Sequence, residues 1–241
     1  MKMRWSNFGM FVLAVICMAS NGSFAQDTTT SVTNGLKLAK EKKYEAAIAV
    51  FDRCIKNSPK NSDIYFYLGN AYLDLLQFEK SLAQFSTSIS YDPSYTDAYY
   101  NRASCYFQLK NYTLAYQDYT KVIELATNTN YAYYLRGNCS YKLGKLDAAL
   151  VDYELALKEN QEAHEIESAL ANAYFSMENY EKALIHYDRA IQLNNTFSDY
   201  YFNRAITEYN LGFPEDACAD FRNARDLGDL EVEGYIKELC H

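Results

Sequence analysis

The chain has 241 residues, 49% of them hydrophobic and 22% charged, with only three prolines, a balance that excludes long disordered stretches and allows one or two ordinary domains. A net charge of −8 excludes a partner held through its phosphates, because an acidic body repels nucleic acid and anionic membrane surfaces. The 24 tyrosines against one tryptophan point to a fold that reuses aromatic positions.

Residues 1–25 read as a secretory signal peptide. Lys2 and Arg4 form the positive start, Phe8 to Ala19 the apolar stretch, and Ser23-Phe24-Ala25 a small-x-small cleavage site. Cleavage would leave Gln26 first, and loss of the two leader charges takes the net charge from −8 to −10. Cys17 follows Ile16, where a lipidation motif needs a small residue, so no lipid anchor is expected. The apolar stretch is short of the roughly 20 residues that span a bilayer, and the mature chain is expected to have no transmembrane segment. The leader predicts export to the periplasm or the cell exterior of a bacterial envelope.

After a short linker at 26–30, the segment 31–241 repeats. Aligned on itself with a period of 34, the chain divides into blocks 28–61, 62–95, 96–129, 130–163, 164–197 and 198–231. The eighth residue of each block is small: Gly35, Gly69, Ala103, Gly137, Ala171 and Ala205. So is the twentieth: Ala47, Ser81, Ala115, Ala149, Ala183 and Ala217. The twenty-fourth is aromatic: Phe51, Phe85, Tyr119, Tyr153, Tyr187 and Phe221. Each block holds two stretches of about 14 residues with helical apolar spacing. Small residues let the two helices approach while the aromatic fills the space beside them. A single hairpin cannot bury such a face, but a stack can.

In these columns, and in the turn prolines Pro59 and Pro93, the chain resembles the tetratricopeptide repeat family over 204 of its 241 residues. The resemblance implies an all-α, right-handed superhelical solenoid of about six hairpins, closed by a C-terminal capping helix (232–241). Block one opens on a Thr-rich run with Ser31 in an aromatic column, which predicts a short or frayed first helix. Pro214 opens the last second helix, a position that tolerates it. Gly228 stops that helix, and Tyr235 and Leu239 carry the apolar face onward through an end helix over 229–240.

Cys218 and Cys240 lie 11 residues either side of Asp229, at equal height across the last hairpin, which makes them a candidate disulfide in an oxidising compartment. Cys105 and Cys139 sit at equivalent places in neighbouring blocks, too far apart to bond, and Cys54 falls on a small core column. The histidines His164, His186 and His241 are scattered and read as solvated; no metal or cofactor site, phosphate-cradling loop or nucleophile motif is expected. The sequence therefore reads as non-enzymatic.

The resemblance places positions 2, 5, 6, 9, 12 and 13 of each first helix on the inner, concave face. They carry Asn70, Asn138 and Asn172 at position nine, Asn101 and Asn203 at position six, and the rings Phe66, Tyr67, Tyr100, Tyr131, Tyr134, Phe175 and Phe202. Acids at position two (Asp63, Asp97, Glu165, Asp199) form a rim. An asparagine can donate and accept to a peptide backbone of any sequence, and aromatics add adaptable contact area. Some family members grip the terminal carboxylate of heat-shock chaperones with two asparagines and several basic residues. Asn70 and Asn101 match those asparagines, but Phe66, Tyr131 and Leu135 stand where bases are needed, so that activity is not expected. The reading is an exported scaffold, in an envelope complex, binding an extended or helical segment of a neutral or basic protein partner. The alternative is a glycan-binding or polysaccharide-export accessory subunit, with rings stacking on sugars.

Overall fold

A computed structural model describes residues 22–126, 129–158 and 163–240. Among them are thirteen helices and no strand: α1 (Gly22–Lys40), α2 (Tyr44–Asn57), α3 (Ser62–Asp74), α4 (Phe78–Tyr91), α5 (Thr96–Gln108), α6 (Tyr112–Leu125), α7 (Asn130–Lys142), α8 (Leu146–Leu157), α9 (His164–Ser176), α10 (Tyr180–Leu193), α11 (Ser198–Leu211), α12 (Pro214–Asp226) and α13 (Glu233–Leu239). Each helix packs on its sequence neighbours, and α1 and α3, α3 and α5, α7 and α9, and α9 and α11 also touch. No two even-numbered helices approach to the same extent. The odd helices α1 to α11 therefore lie on the inner side of a curved stack, and the even ones on the outer side, with α13 packed on α12 at the end.

Two expectations at the ends need correction. The segment 26–30 is helix rather than linker, and α1 runs for 19 residues instead of fraying. Thr33 Oγ1 donates to the Thr29 carbonyl at 3.0 Å, so a threonine folds its hydroxyl back on its own helix and the polar run is tolerated. Residues 1–21 of the expected leader lie outside the described residues, as does His241, and the expected cleavage after Ala25 falls within α1. At the other end, α13 spans only seven residues. Gly228 at φ +102° and the Asp229 carboxylate, which accepts from Glu231 N at 3.0 Å, hold the preceding residues in a turn.

The small columns are explained by contact. A Cβ at Gly35, Gly69 or Gly137 would fall 2.5–2.6 Å from the ring of Phe51, Phe85 or Tyr153. The position-twenty residues, Ala47 through Ala217, are all fully buried. In the second hairpin Ser81 does more, its hydroxyl donating to the Gly69 carbonyl at 2.8 Å.

Each first helix ends the same way. Residues Lys42, Leu76, Lys110, Gly144, Glu178 and Gly212, all at position fifteen, are left-handed. The next amide in each case reaches back five residues, as Gln77 N does to the Tyr72 carbonyl at 2.9 Å. This is the helix-ending motif that glycine usually serves, and here four of its six positions carry a side chain.

Arginines at position seven brace the stack. Arg102 forks onto Asp118 at 2.7 and 2.8 Å and reaches Ser86 of the preceding hairpin at 3.2 Å. Arg136 binds Asp152 and Thr120 likewise, and Arg204 binds Asp220 and Asp188. Each guanidinium also lies over a position-four ring, Tyr99, Tyr133 or Tyr201, at 5.4–5.7 Å. The fifth hairpin has Leu170 at that place and Glu167 instead of the tyrosine. Buried Glu167 accepts from His186 Nδ1 at 2.7 Å and Arg189 Nε at 2.9 Å. His186 and His164, whose Nδ1 lies 2.8 Å from the Tyr200 hydroxyl, are thus half-buried and bonded rather than solvated.

The structure joins Cys218 to Cys240 in a disulfide with Cα atoms 5.6 Å apart, which ties α13 to α12. Cys54, Cys105 and Cys139 are buried and lie outside any disulfide; burial pushes Cys105 up to about 11 and Cys139 up to about 12, which keeps both protonated and unreactive.

Candidate functional site on the inner face

The inner-face asparagines divide into two sets. Asn138 Oδ1 accepts from the Tyr153 hydroxyl at 2.8 Å, and Asn172 Oδ1 accepts from Tyr187 at 2.6 Å. In the third hairpin Ser104 stands in the same relation to Tyr119, at 3.1 Å. These polar residues at position nine satisfy the phenols at position twenty-four, which are buried between the helices. Where position twenty-four is Phe51 or Phe221, which needs no partner, position nine is Leu36 or Ile206. Asn138 and Asn172 therefore brace hairpins with their carbonyls.

Asn70 is different. Its own hairpin has Phe85 at position twenty-four, so its Oδ1 is not required there and instead accepts from Asn101 Nδ2 across the α3–α5 junction at 2.7 Å. That bond leaves the Asn70 amide as a donor and the Asn101 carbonyl as an acceptor, side by side on two neighbouring inner helices. Asn203, half-buried on α11, makes no side-chain hydrogen bond among the described residues.

The rings also divide. Phe175 packs edge-on to Tyr180 at 5.3 Å. Phe202 lies between Phe221 at 6.0 Å and Tyr235 at 5.3 Å, under the C-terminal cap. Tyr131, 53% exposed, leans on Tyr134 at 5.7 Å, and Tyr134 on Tyr153 at 6.0 Å. Tyr100 meets Tyr119 edge-on at 5.9 Å. Phe66 touches Tyr67 at 5.7 Å and Tyr95 at 4.8 Å.

Tyr95 was not among the expected inner residues, because it sits in the turn before α5, outside the helical columns. Burial, then the nearby Asp63 carboxylate and the neighbouring Tyr67 and Asp97, raise its pKa far above the usual phenol range. Tyr67 is raised by burial and by the same two carboxylates. The junction of α3 and α5 thus gathers Asp63, Phe66, Tyr67, Asn70, Tyr95, Asp97, Tyr100 and Asn101 on one face.

Profiles of the tetratricopeptide repeat match residues 96–128 and 165–197, a further one matches 131–162, and a TPR repeat profile matches 35–75. Together they cover more than half of the chain, and the matches at 96–128, 131–162 and 165–197 each coincide with one helix pair. The chain is a tetratricopeptide repeat protein. Solved structures similar to this tetratricopeptide repeat protein include Pseudomonas aeruginosa PilF, with a TM-score of 0.72, 16% identity, and coverage of 89% of this chain and 99% of that one. YrrB, described as a TPR protein with an unusual peptide-binding site, has a TM-score of 0.66 and 19% identity over 78% of this chain and 98% of its own. MamA has a TM-score of 0.64 and 19% identity over 69% and 97%. At these identities the likeness is one of fold. No curated protein matches the chain by sequence. Among the described residues no helix is long and apolar enough to cross a membrane.

Proposed function

We propose that this protein is a non-catalytic, exported scaffold that docks a segment of a partner protein on the inner face of α3 and α5. The tetratricopeptide fold supports protein interaction in general, and YrrB, a neighbour in fold, is described as having a peptide-binding site. The observation that carries the reading here is the Asn70–Asn101 bridge, which presents a donor and an acceptor beside half-buried aromatic rings, the complement of an extended backbone. The leader-like start of the sequence supports export to a bacterial envelope, where the partner complex would lie.

The test is cross-linking of the protein in its native envelope fraction. The parent is compared with Asn70→Ala/Asn101→Ala and with Asn172→Ala, circular dichroism checking that all remain helical. Loss of the captured partner in the first variant alone supports the reading; equal capture by all three places docking elsewhere. A second reading, glycan binding, rests on Tyr131, a residue of inner helix α7 that is 53% exposed. It predicts loss of binding in Tyr131→Ala and competition by free oligosaccharide.

A further inference from the structure

The α3–α5 junction is unbalanced in charge. Asp63 and Asp97 are exposed at the second position of their helices, and neither forms an ion pair among the described residues. Helix α3 contains no Lys or Arg, and the one arginine of α5, Arg102, is held by Asp118 and Ser86 of the outer helices. Although the residue as a whole is exposed, partial desolvation of the Asp97 carboxyl raises it above the ordinary aspartate range, with no cation nearby to lower it.

Aromatic faces stand beside these carboxylates. Phe66 and Tyr95 lie 4.8 Å apart at 35°, and Tyr67 closes on Phe66 at 5.7 Å and 59°. The phenols of Tyr67 and Tyr95 share the field of Asp63 and Asp97. Negative ring faces and unpaired carboxylates together attract one class of group, an organic cation. The adjacent donor and acceptor of Asn70 and Asn101 match a peptide bond.

From this juxtaposition we infer that Asp63, Asp97 and the rings of Phe66, Tyr67 and Tyr95 form an anchor for an arginine or lysine side chain of an extended protein segment, whose backbone lies along Asn70 and Asn101. The inference rests on the docking reading above and names the chemistry of the docked segment. The anchor selects for positive charge within a groove that would otherwise accept many sequences, and it makes docking sensitive to salt.

The probes are a blocked peptide, acetyl-Ser-Gly-Arg-Gly-Ser-Gly-Arg-Gly-Ser-amide, and its twin with citrulline for both arginines, which keeps the shape and removes the charge. Both are titrated into the isotope-labelled protein and followed by amide chemical shifts. The expected result is shifts in α3 and α5, with the arginine peptide binding at least tenfold more tightly at low salt. The variant Asp63→Asn/Asp97→Asn, isosteric and at exposed positions, should abolish that difference while keeping the parent's thermal melt. The variant Glu165→Gln/Asp199→Asn removes the same charge from the equivalent positions three hairpins further along and should preserve it. Equal shifts from both peptides in α3 and α5 would overturn the cation anchor and leave the groove intact. Equal weakening by both variants would overturn it in favour of diffuse electrostatics. Absence of any shift in α3 and α5 would overturn the anchor and the groove together.

Discussion

Gly69→Ala probes the packing of the second hairpin. Mid-helix, this change ordinarily stabilises a protein by up to about 1 kcal/mol, because alanine restricts the unfolded chain. Here the added carbon would sit 2.6 Å from Phe85 Cε1 and 2.7 Å from Cδ1, against a preferred carbon separation of about 3.5–4.0 Å. The ring cannot swing away, being fully buried and backed by Phe66 at 5.9 Å. The third, fifth and sixth hairpins house Ala103, Ala171 and Ala205 at this position, so a slightly wider helix pair can accept the methyl. The second hairpin is pinned, however, by the Ser81 hydroxyl on the Gly69 carbonyl, which widening would strain. Overpacking of this kind costs about 1–3 kcal/mol; against an immobile ring the cost belongs in the upper part of that range, about 2–3 kcal/mol, which outweighs the propensity gain and leaves a net loss of about 1–2 kcal/mol. Thermal unfolding should then fall by roughly 2–8 °C. In a Phe85→Leu background the same methyl has room, and Gly69→Ala should become neutral or mildly stabilising. The double-mutant cycle should give a coupling of at least about 1 kcal/mol. A raised melting temperature for the single variant, or strict additivity, would refute the packing argument.

Three other outcomes follow from the same geometry. Tyr153→Phe strands the Asn138 carbonyl and should cost about 1 kcal/mol, while Tyr153→Phe/Asn138→Leu, the pairing already used by Phe51 with Leu36, should recover most of it in denaturant melts. Leu76, left-handed at φ 57° and 72% exposed, should gain about 0.5–1 kcal/mol on change to glycine, the relief of backbone strain exceeding the added chain entropy; a lower melting temperature would contradict this. Glu208 is buried beside Asp220, Asp216 and Asp188, with Arg204 opposing them, and burial above all raises its carboxyl to about 7. The folded chain thus holds this proton more tightly than the unfolded one, whose glutamate titrates near 4.3. The carboxyl consequently destabilises the fold as pH rises from about 4.5 through 7, by up to roughly 3 kcal/mol. Glu208→Gln should raise the melting temperature at pH 8 and leave it nearly unchanged at pH 4.5; equal changes at both would contradict the linkage.

The fold was legible because period, small columns and aromatic column are all local consequences of helices in contact. Gly69 and Phe85 are 16 residues apart in every block, and the sequence displays that spacing six times over. The inner face was legible only in part. Asn138 and Asn172 looked like ligand-facing amides because columns were read one at a time. Set beside column twenty-four, the match of Asn or Ser with Tyr and of Leu or Ile with Phe was available in the sequence. Asn70, the exception beside Phe85, could have been singled out the same way. Tyr95 could not, since a turn residue has no helical phase and only the folded chain shows its ring against Phe66. The length of α1 escaped because a Thr-rich run has poor helix propensity, which hydroxyl-to-carbonyl bonding and packing on α2 override. The buried carboxyl of Glu208 was hidden because position eleven already varies among leucine, tyrosine and serine, so a glutamate there does not alter the repeat.

The most direct test of the central claim is site-specific photo-cross-linking in the native envelope fraction, with a photoreactive residue replacing Tyr67 on the inner face or Ala83 on the exposed side of α4. The account predicts a single partner segment, carrying a basic residue, joined from Tyr67 and absent in the Asp63→Asn/Asp97→Asn background. A partner joined from Ala83 and never from Tyr67 would contradict it.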